Sequence, residues 1–424
     1  MSEVPRVLIV TNNCLSWTSN NGKTIKSFFQ GWPSTRLAQL YFSSELPESQ
    51  TVDQSYRISD RDALESIFRL KKRVGGRVHA VASEFDSRPI RRHGKTVEIQ
   101  RLVRECVWFL ALVRERESLE WARGWRPDLI FFCAGDCLFA YRLVARIARS
   151  LSIPVVIFIT DDYVLPRPSE SLVARIRRKL IRWEQGRFWN RAAGRVSISQ
   201  QMSEEYERLY GMQSIWTAQV PPSHRTLRPR ETATDDCIRF VYAGSLHYGR
   251  SEPLALLART VGDLGLAGHR VELEIYSGQA ATGGLGQALA AFSNATHKGL
   301  VGSEELDRIL VRADVLVHVE SFDPAQQAAT RLSVSTKIPE YLSYEKPILA
   351  IGPAGIASMK LLEGSAECVN DLASLRSSVE KLVKTPQVRD RLANEASNKL
   401  EWLRDESKRN SVEDLIFSTV ARPH

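Results

Sequence analysis

The run Ser335-Thr336-Lys337-Ile338-Pro339-Glu340-Tyr341 holds the residues of this 424-residue chain whose types and spacing point most directly to chemistry. Small hydroxyl side chains precede a helix, expected at about Pro339–Tyr344, with proline in its first turn, where a missing N–H costs least. The open amides and dipole of a helix start suit a phosphate, and Lys337 adds a positive charge at the same place. Glu340, one turn on, can accept hydrogen bonds from a sugar diol. Lys346-Pro347 then ends the helix and opens the apolar strand Ile348–Ile351. A well-capped helix without a ligand is the plainer reading. Three aspartates also follow apolar segments: Asp136 in Ala134-Gly135-Asp136, and Asp161 and Asp162 in Thr160-Asp161-Asp162-Tyr163. Strand ends are where α/β sheets meet ligands, although each aspartate could equally cap a helix. Neighbouring Asp161 and Asp162 point different ways on most backbones, so one of them at most is expected at a ligand.

Other fragments fail on spacing. Gly22-Lys23-Thr24 would need a glycine at 17 to wrap a phosphate loop, and that position is Trp17. Asn21 and Gly22 are left as a turn after the first strand, read as either a plain connection or a ligand-contacting loop. Gly283-Gly284-Leu285-Gly286 misses the dinucleotide frame, which would place glycine where Leu289 stands. Cysteines at 14, 106, 133, 137, 237 and 368 make neither a disulfide framework nor a zinc pattern. Cys133 and Cys137 read as core, and no metal is expected.

Apolar runs of four to seven residues alternate with longer helical patterns, the rhythm of parallel sheets flanked by helices. Strands are expected at Arg6–Thr11, Ala38–Phe42, Asp128–Phe132, Val155–Thr160 and Val196–Ser199, then at Arg239–Ala243, Val271–Tyr276, Val315–Val319 and Ile348–Ile351. A polar, proline-bearing, aperiodic stretch separates the two sets. The expected fold is therefore α/β, two Rossmann-like doubly wound domains facing a cleft. The first would cover 1–220, the linker 221–236 and the second 237–395, with a helical segment over 396–424 that can pack back on the first domain. The composition, 43% hydrophobic and 25% charged, excludes disorder and collagen-like repetition. A net charge of +9 fits an anionic partner without choosing one. No apolar run is long enough to span a bilayer, and the N-terminus runs straight into a strand, so a cytoplasmic location is expected.

With the Thr336–Pro347 segment and its position in view, the sequence resembles the retaining nucleotide-sugar glycosyltransferases of family 4, which have the GT-B fold. Their Thr/Ser-Lys-x-x-Glu-Tyr segment and following Lys-Pro correspond here to Thr336, Lys337, Glu340, Tyr341 and Lys346-Pro347. The resemblance implies that Glu340 binds the donor ribose. It also implies a glycine turn at the first strand of the second domain, with a basic residue touching the diphosphate; Gly244, Ser245 and Arg250 occupy those places. Arg250 and Lys337, with the helix start, would stabilise the leaving diphosphate. Front-face retaining transfer would let the donor phosphate take the acceptor proton, with Asp136, Asp161 and Asp162 as acceptor-side candidates. The implied partners are a nucleotide-diphosphate sugar and a glycan, lipid-linked or small-molecule acceptor, with no cofactor. One departure concerns the earlier family glutamate, whose place is taken by Leu332; Glu320 lies too far back to fill the spacing. That departure keeps two rivals open, a nucleotide-sugar epimerase of the same fold and an inactive binding or scaffold protein.

Arg167–Arg195 contains nine Arg or Lys and two Glu, with Leu172, Ile176, Leu180 and Trp183 at helical spacing. The plain expectation is a core helix with a solvated basic face. The alternative is docking on an anionic membrane through Arg175–Arg182, including Arg177, Arg178 and Lys179, which would make the protein peripheral on the inner face. Nucleic acid is not expected, because no recognised binding motif accompanies the charge.

Overall fold

A computed structural model describes residues 3–15, 20–47, 52–68, 74–78, 96–114, 116–217, 220 and 237–422; the side chains at 20, 21, 23, 68, 96–99, 113 and 114 also fall outside the description. The expected linker 221–236 and Trp17 lie outside the described residues. The chain divides into two units, residues 1–217 with 410–424, and residues 218–409.

In the first unit the order is β1 (Val7–Thr11), α1 (Asn20–Phe28), β2 (Leu37–Tyr41), β3 (Gln54–Arg57), α2 (Asp60–Phe68), β4 (Gly76–Val78), α3 (Thr96–Arg114), α4 (Glu117–Trp125), β5 (Leu129–Ala134), α5 (Leu138–Leu151), β6 (Val155–Ile159), α6 (Leu172–Arg191), β7 (Gly194–Ser197), α7 (Gln200–Tyr210) and β8 (Ile215–Trp216). The second unit holds β9 (Ile238–Ala243), α8 (Ser251–Leu266), β10 (Val271–Tyr276), α9 (Gly283–Ala291), β11 (Ala295–Gly299), α10 (Ser303–Arg312), β12 (Val315–Val319), α11 (Pro324–Thr330), α12 (Lys337–Leu342), β13 (Ile348–Ile351), α13 (Ala357–Leu362), β14 (Glu367–Val369), α14 (Leu375–Lys384) and α15 (Pro386–Arg409). The last helix, α16 (Val412–Ala421), belongs to the first unit.

The first sheet runs β4-β3-β2-β1-β5-β6-β7-β8 and the second β11-β10-β9-β12-β13-β14. All described pairings are parallel except β3 with β4, at one edge. In each sheet the first strand winds outward in both directions. A crevice therefore opens at its C-terminal end, between β1 and β5 in one unit and between β9 and β12 in the other. Central strands such as β1, β5, β6 and β12 are buried along their whole length, as expected where helices cover both faces.

Every strand expected from the sequence is present, with ends within two residues. Five further strands were not expected: β3, β4, β8, β11 and β14. Four of the five are sheet edges, and their sequences are short or polar. The helix expected at Pro339–Tyr344 starts two residues earlier, at Lys337, and has six residues.

α6 reverses an expectation. Ser171 caps its start, accepting from the Ala174 N–H at 3.2 Å. The buried side is Arg177, Ile181, Gln185 and Trp189, anchored by Gln185 donating to the Tyr141 hydroxyl and Trp189 donating to the Met212 carbonyl. Leu172, Ile176, Leu180 and Trp183, read as the core stripe, are 69%, 48%, 44% and 57% exposed. A polar side goes into the interior because Arg177, Gln185 and Trp189 each find a partner there, which offsets most of the cost of burying them; only Arg177 Nε is left without one among the described residues. Ile181→Ala should then destabilise the protein by about 2–5 kcal/mol, while Leu180→Ala should change stability by less than about 0.5 kcal/mol. Urea unfolding of the two variants checks this, and similar losses for both would restore the core reading of the stripe.

Candidate active site

In the second unit, the crevice between β9 and β12 is where the candidate groups meet. β9 ends at Ala243, and the Gly244 N–H donates to the Tyr276 carbonyl at 2.9 Å. The Lys337 ammonium reaches across and donates to the Ala243 carbonyl at 2.6 Å. The Tyr341 hydroxyl lies 3.2 Å from both the nitrogen and the oxygen of Ala243. The Tyr242 hydroxyl donates to the Ser245 carbonyl at 2.6 Å, and its ring centroid is 5.9 Å from Lys337 Nζ. A β-carbon at Gly244 would run into the Lys337 ammonium and come within 2.9 Å of the Tyr242 hydroxyl. Glycine here leaves the space in which a cation approaches the backbone, the kind of space a phosphate site uses, and a larger residue would have to displace the Lys337 ammonium.

Arg250, the residue before α8, points into the same crevice. Its Nη2 lies 3.2 Å from Glu320 Oε2, and His318 Nε2 lies 3.2 Å from Glu320 Oε1. Glu320 is 2% exposed. Burial pushes its carboxyl up, but His318 and Arg250 outweigh that and hold it at about 2. Burial works against the Arg250 charge too, yet Glu320 holds its pKa above the ordinary value. The packing is tight: a β-carbon at Gly352 would come 2.8 Å from that of Glu320, and one at Gly249, which sits at φ +72°, would collide with the Ser321 hydroxyl. Arg250 Nε is buried with no hydrogen-bond partner among the described residues. Arg250 is paired with Glu320, and Lys337 is the second cation of the crevice.

Thr336 stands at the start of α12 and makes no side-chain cap; Glu340, in its first turn, is half-buried. At six residues the helix is too short for much macrodipole, so the expected help from the helix start gives way to Lys337. Leu332 is buried at 8% exposure, an apolar residue where the family glutamate was sought. The acid beside Arg250 is instead Glu320. Neither it nor His318 was singled out for the site, although two ionisable residues alternating at the end of an otherwise apolar strand were a signal.

In the first unit, the ends of β1, β5 and β6 line a cavity of about 30 Å³ that includes Asn12, Gly22, Gly135, Thr160 and Tyr163. It has room for a water or two. The Asn21 side chain lies outside the described residues. The three aspartates part ways. Asp136 Oδ2 is 2.9 Å from Arg177 Nη2, which also donates to the Asp136 carbonyl at 2.5 Å. Burial raises the Asp136 carboxyl, but Arg177 overcomes this and holds it below its ordinary value. Asp162, 1% exposed, turns back into its own loop and accepts from the Val164 and Leu165 N–H groups at 2.9 and 3.0 Å. Both carboxylates thus hold structure together. Asp161 is not part of the cavity lining; its carboxylate accepts from Thr160 Oγ1 at 3.2 Å and from the Tyr163 hydroxyl at 3.4 Å, both residues that do line it. The Cys133 and Cys137 thiols are pushed up to about 12 by burial. Among the described residues, no three His, Cys, Asp or Glu side chains gather as metal ligands.

Residues 64–223 match the model of the glycosyl transferase 4-like domain. No curated protein matches the chain in sequence. Solved structures match over nearly the whole length. An α,α-trehalose-phosphate synthase (UDP-forming) from Burkholderia vietnamiensis gives a TM-score of 0.61 at 12% identity, covering 98% of this chain and 100% of that one. The E. coli trehalose-6-phosphate protein bound with UDP-2-fluoro glucose gives 0.60 at 10% identity, covering 99% of each chain. The lipopolysaccharide outer core galactosyltransferase WaaB gives 0.58 at 10% identity, covering 97% and 99%. At such identities these likenesses establish the fold, which is GT-B, and the domain match agrees with the family expected from the sequence.

The Glu320 carboxyl, depressed from an ordinary 4.5 to about 2, stabilises the fold fully above pH 4.5 and loses that contribution as pH falls toward 2. The charge contribution is on the order of 3 kcal/mol. Glu320→Gln should therefore be less stable than the parent at pH 7, with the gap closing between pH 4.5 and pH 2 in urea titrations. A gap independent of pH would show that packing, not charge, is what Glu320 supplies.

Proposed function

We propose that this glycosyltransferase, a GT-B chain carrying a glycosyl transferase 4-like domain, moves a sugar from a nucleotide-diphosphate sugar to a glycan, lipid-linked or small-molecule acceptor, with retention of configuration. The observation that carries the reading is the convergence of Lys337, Arg250 and the side-chain-free Gly244 at the crevice of the second unit. A nucleotide diphosphate needs cations and close backbone approach at one point, and these residues supply both. Glu340 would accept hydrogen bonds from the ribose, with Thr336, Ser245 and Tyr341 shaping the same wall.

In the transfer, the bond from the anomeric carbon to the diphosphate oxygen breaks as the acceptor oxygen bonds to that carbon. The acceptor proton passes to the departing phosphate oxygen. Negative charge on the diphosphate grows along this path, so Lys337 and the partnerless Nε–H of Arg250 act most strongly in the transition state. Two fixed cations meet that charge, and the reading assigns no metal. Asp161, whose carboxylate accepts from the neighbouring Thr160 and Tyr163 hydroxyls, would be the acceptor-side aspartate, because Asp136 is held by Arg177 and Asp162 by two amides of its own loop. Leu332 in place of an acid favours one rival, sugar interconversion by an epimerase, and products from a panel of nucleotide sugars separate the two. UDP sugars come first in that panel, because the Burkholderia and E. coli neighbours are described with UDP.

An anionic membrane surface is the partner proposed for α6. No helix among the described residues is long and apolar enough to cross a membrane. The cations turned outward are Arg175, Lys179 and Arg182, whereas Arg177 is buried against Asp136 and Arg178 pairs with Glu170 at 2.6 Å, so two of the five residues expected at the lipid are removed from it.

Lys337→Ala and Arg250→Ala should lower kcat more than they raise KM, and Glu340→Ala should weaken nucleotide binding roughly tenfold to a hundredfold in a folded protein. Near-normal kcat in the first two, measured by steady-state transfer, would move the phosphate site elsewhere. Reversing Arg175, Lys179 and Arg182 to glutamate should abolish flotation with phosphatidylglycerol vesicles at low salt and leave nucleotide affinity unchanged. Equal flotation of parent and variant would remove the membrane from the reading.

A further inference from the structure

At the other end of the first sheet from Asp161, an open groove of about 670 Å³ lies between α5 and α6. Val155, which opens β6, is part of its wall, while Asp161 follows the far end of that strand. Five residues at about 3.3 Å each separate the groove from the strand ends, so it is no part of the transfer site in this unit. Its lining includes Arg142, Arg149, Arg187 and Arg191, the apolar Ile153, and Trp183.

The charges are available. Glu184 is the sole carboxylate in the lining and stands 3.9 Å from Arg187. Arg187 otherwise stacks on Trp183, 4.5 Å from the ring centroid, and Arg142 lies 5.1 Å over the Phe109 ring. Arg142, Arg149 and Arg191 are exposed and pair with no carboxylate among the described residues. Arginines near helix C-termini often answer the dipole, and α5 and α6 both end here. Two helix ends amount to about one negative charge in all. Four guanidiniums exceed that and Glu184 together, and the groove remains positive.

The groove also opens onto apolar surface. Trp183 both lines it and ends the outward stripe of Leu172, Ile176 and Leu180. α3, packed beside α5 and α6, turns Val103, Phe109 and Leu110 outward at 57%, 51% and 53% exposure. An anion-binding pocket leading onto exposed aliphatic and indole side chains matches a ligand with an anionic head and an apolar tail. Guanidiniums engage a phosphodiester through two oxygens at once, and tryptophan suits a boundary that is wet at one end and apolar at the other.

We infer that this groove seats the phosphate headgroup of an anionic phospholipid, with its acyl chains lying along Trp183, Leu180 and Ile176. The inference rests on the membrane reading of α6 and deepens it from general attraction to a built headgroup site. The test uses the full chain and dihexanoyl phosphatidylglycerol below its micelle concentration, with dihexanoyl phosphatidylcholine and inorganic phosphate as comparisons, followed by calorimetry. The phosphatidylglycerol should bind at least tenfold more tightly than either comparison. The triple substitution Arg142→Gln, Arg149→Gln, Arg191→Gln should weaken it at least tenfold, with the melting temperature and UDP affinity unchanged. Trp183→Ala should weaken it without altering the response to phosphate. Equal binding of inorganic phosphate would make this a general anion site and overturn the lipid assignment, as would wild-type affinity in the triple variant. Vesicle flotation that depends on Arg175, Lys179 and Arg182 without any binding of the short-chain lipid would leave the membrane reading standing and overturn the groove. Capture of a protein by the stripe in place of lipid would overturn it too. UDP affinity reports separately on the transferase reading.

Discussion

A carboxylate at 2% exposure keeps its charge only if cations and donors replace the water it has lost. Glu320 meets that condition through Arg250 and His318, each at 3.2 Å, and the geometry of the second unit's crevice follows from it. The pair ties the end of β12 to the start of α8, on either side of the point where the strand order reverses. It also fixes the guanidinium in one orientation before any ligand arrives, so little rotamer entropy remains to be lost on binding. The glycines around it have the same origin: Gly352 and Gly249 leave the space into which Glu320 and Ser321 pack.

Lys337 is placed by a different device. Its ammonium rests on the Ala243 carbonyl, a neutral dipole that orients the charge. One cation paired with an acid and one held by a carbonyl give a crevice whose cations are ordered before a ligand arrives. That combination suits a ligand whose charge grows during reaction.

The sequence showed what burial writes into it. β12 and β13 matched their expected limits because strands covered on both faces leave nearly continuous apolar runs, and β10 because Val271, Leu273 and Ile275 alternate with Glu272 and Glu274. Edge strands β4, β8, β11 and β14 leave no such run, and they were missed. Thr336, Lys337, Glu340 and Tyr341 could be found because a short segment carries them together. Glu320 and Arg250, 70 residues apart, meet only through the topology. α6 misled because spacing records which residues share a face and not which face turns inward. There, partners at Asp136, Tyr141 and Met212 let a polar side go in and left an apolar one outside. The aspartates show the same limit, since nothing local distinguishes Asp161 from Asp162, whose carboxylate is turned back by two amides three residues or fewer away.

The return of residues 410–424 to the first unit bears on how the protein is made. α16 buries Ile416 and Thr419, its Phe417 ring lies 5.6 Å from that of Trp32, and Leu415 packs against Gly194. The second unit is thus an insertion, in sequence, within the first. On the ribosome, the unit that begins first is also the last to be completed, since its closing helix leaves the exit tunnel after the entire second unit has been synthesised. Until then the place of α16 beside Trp32 and β7 stays open to water, an interval in which a nascent chain is most exposed to chaperones and to misassembly.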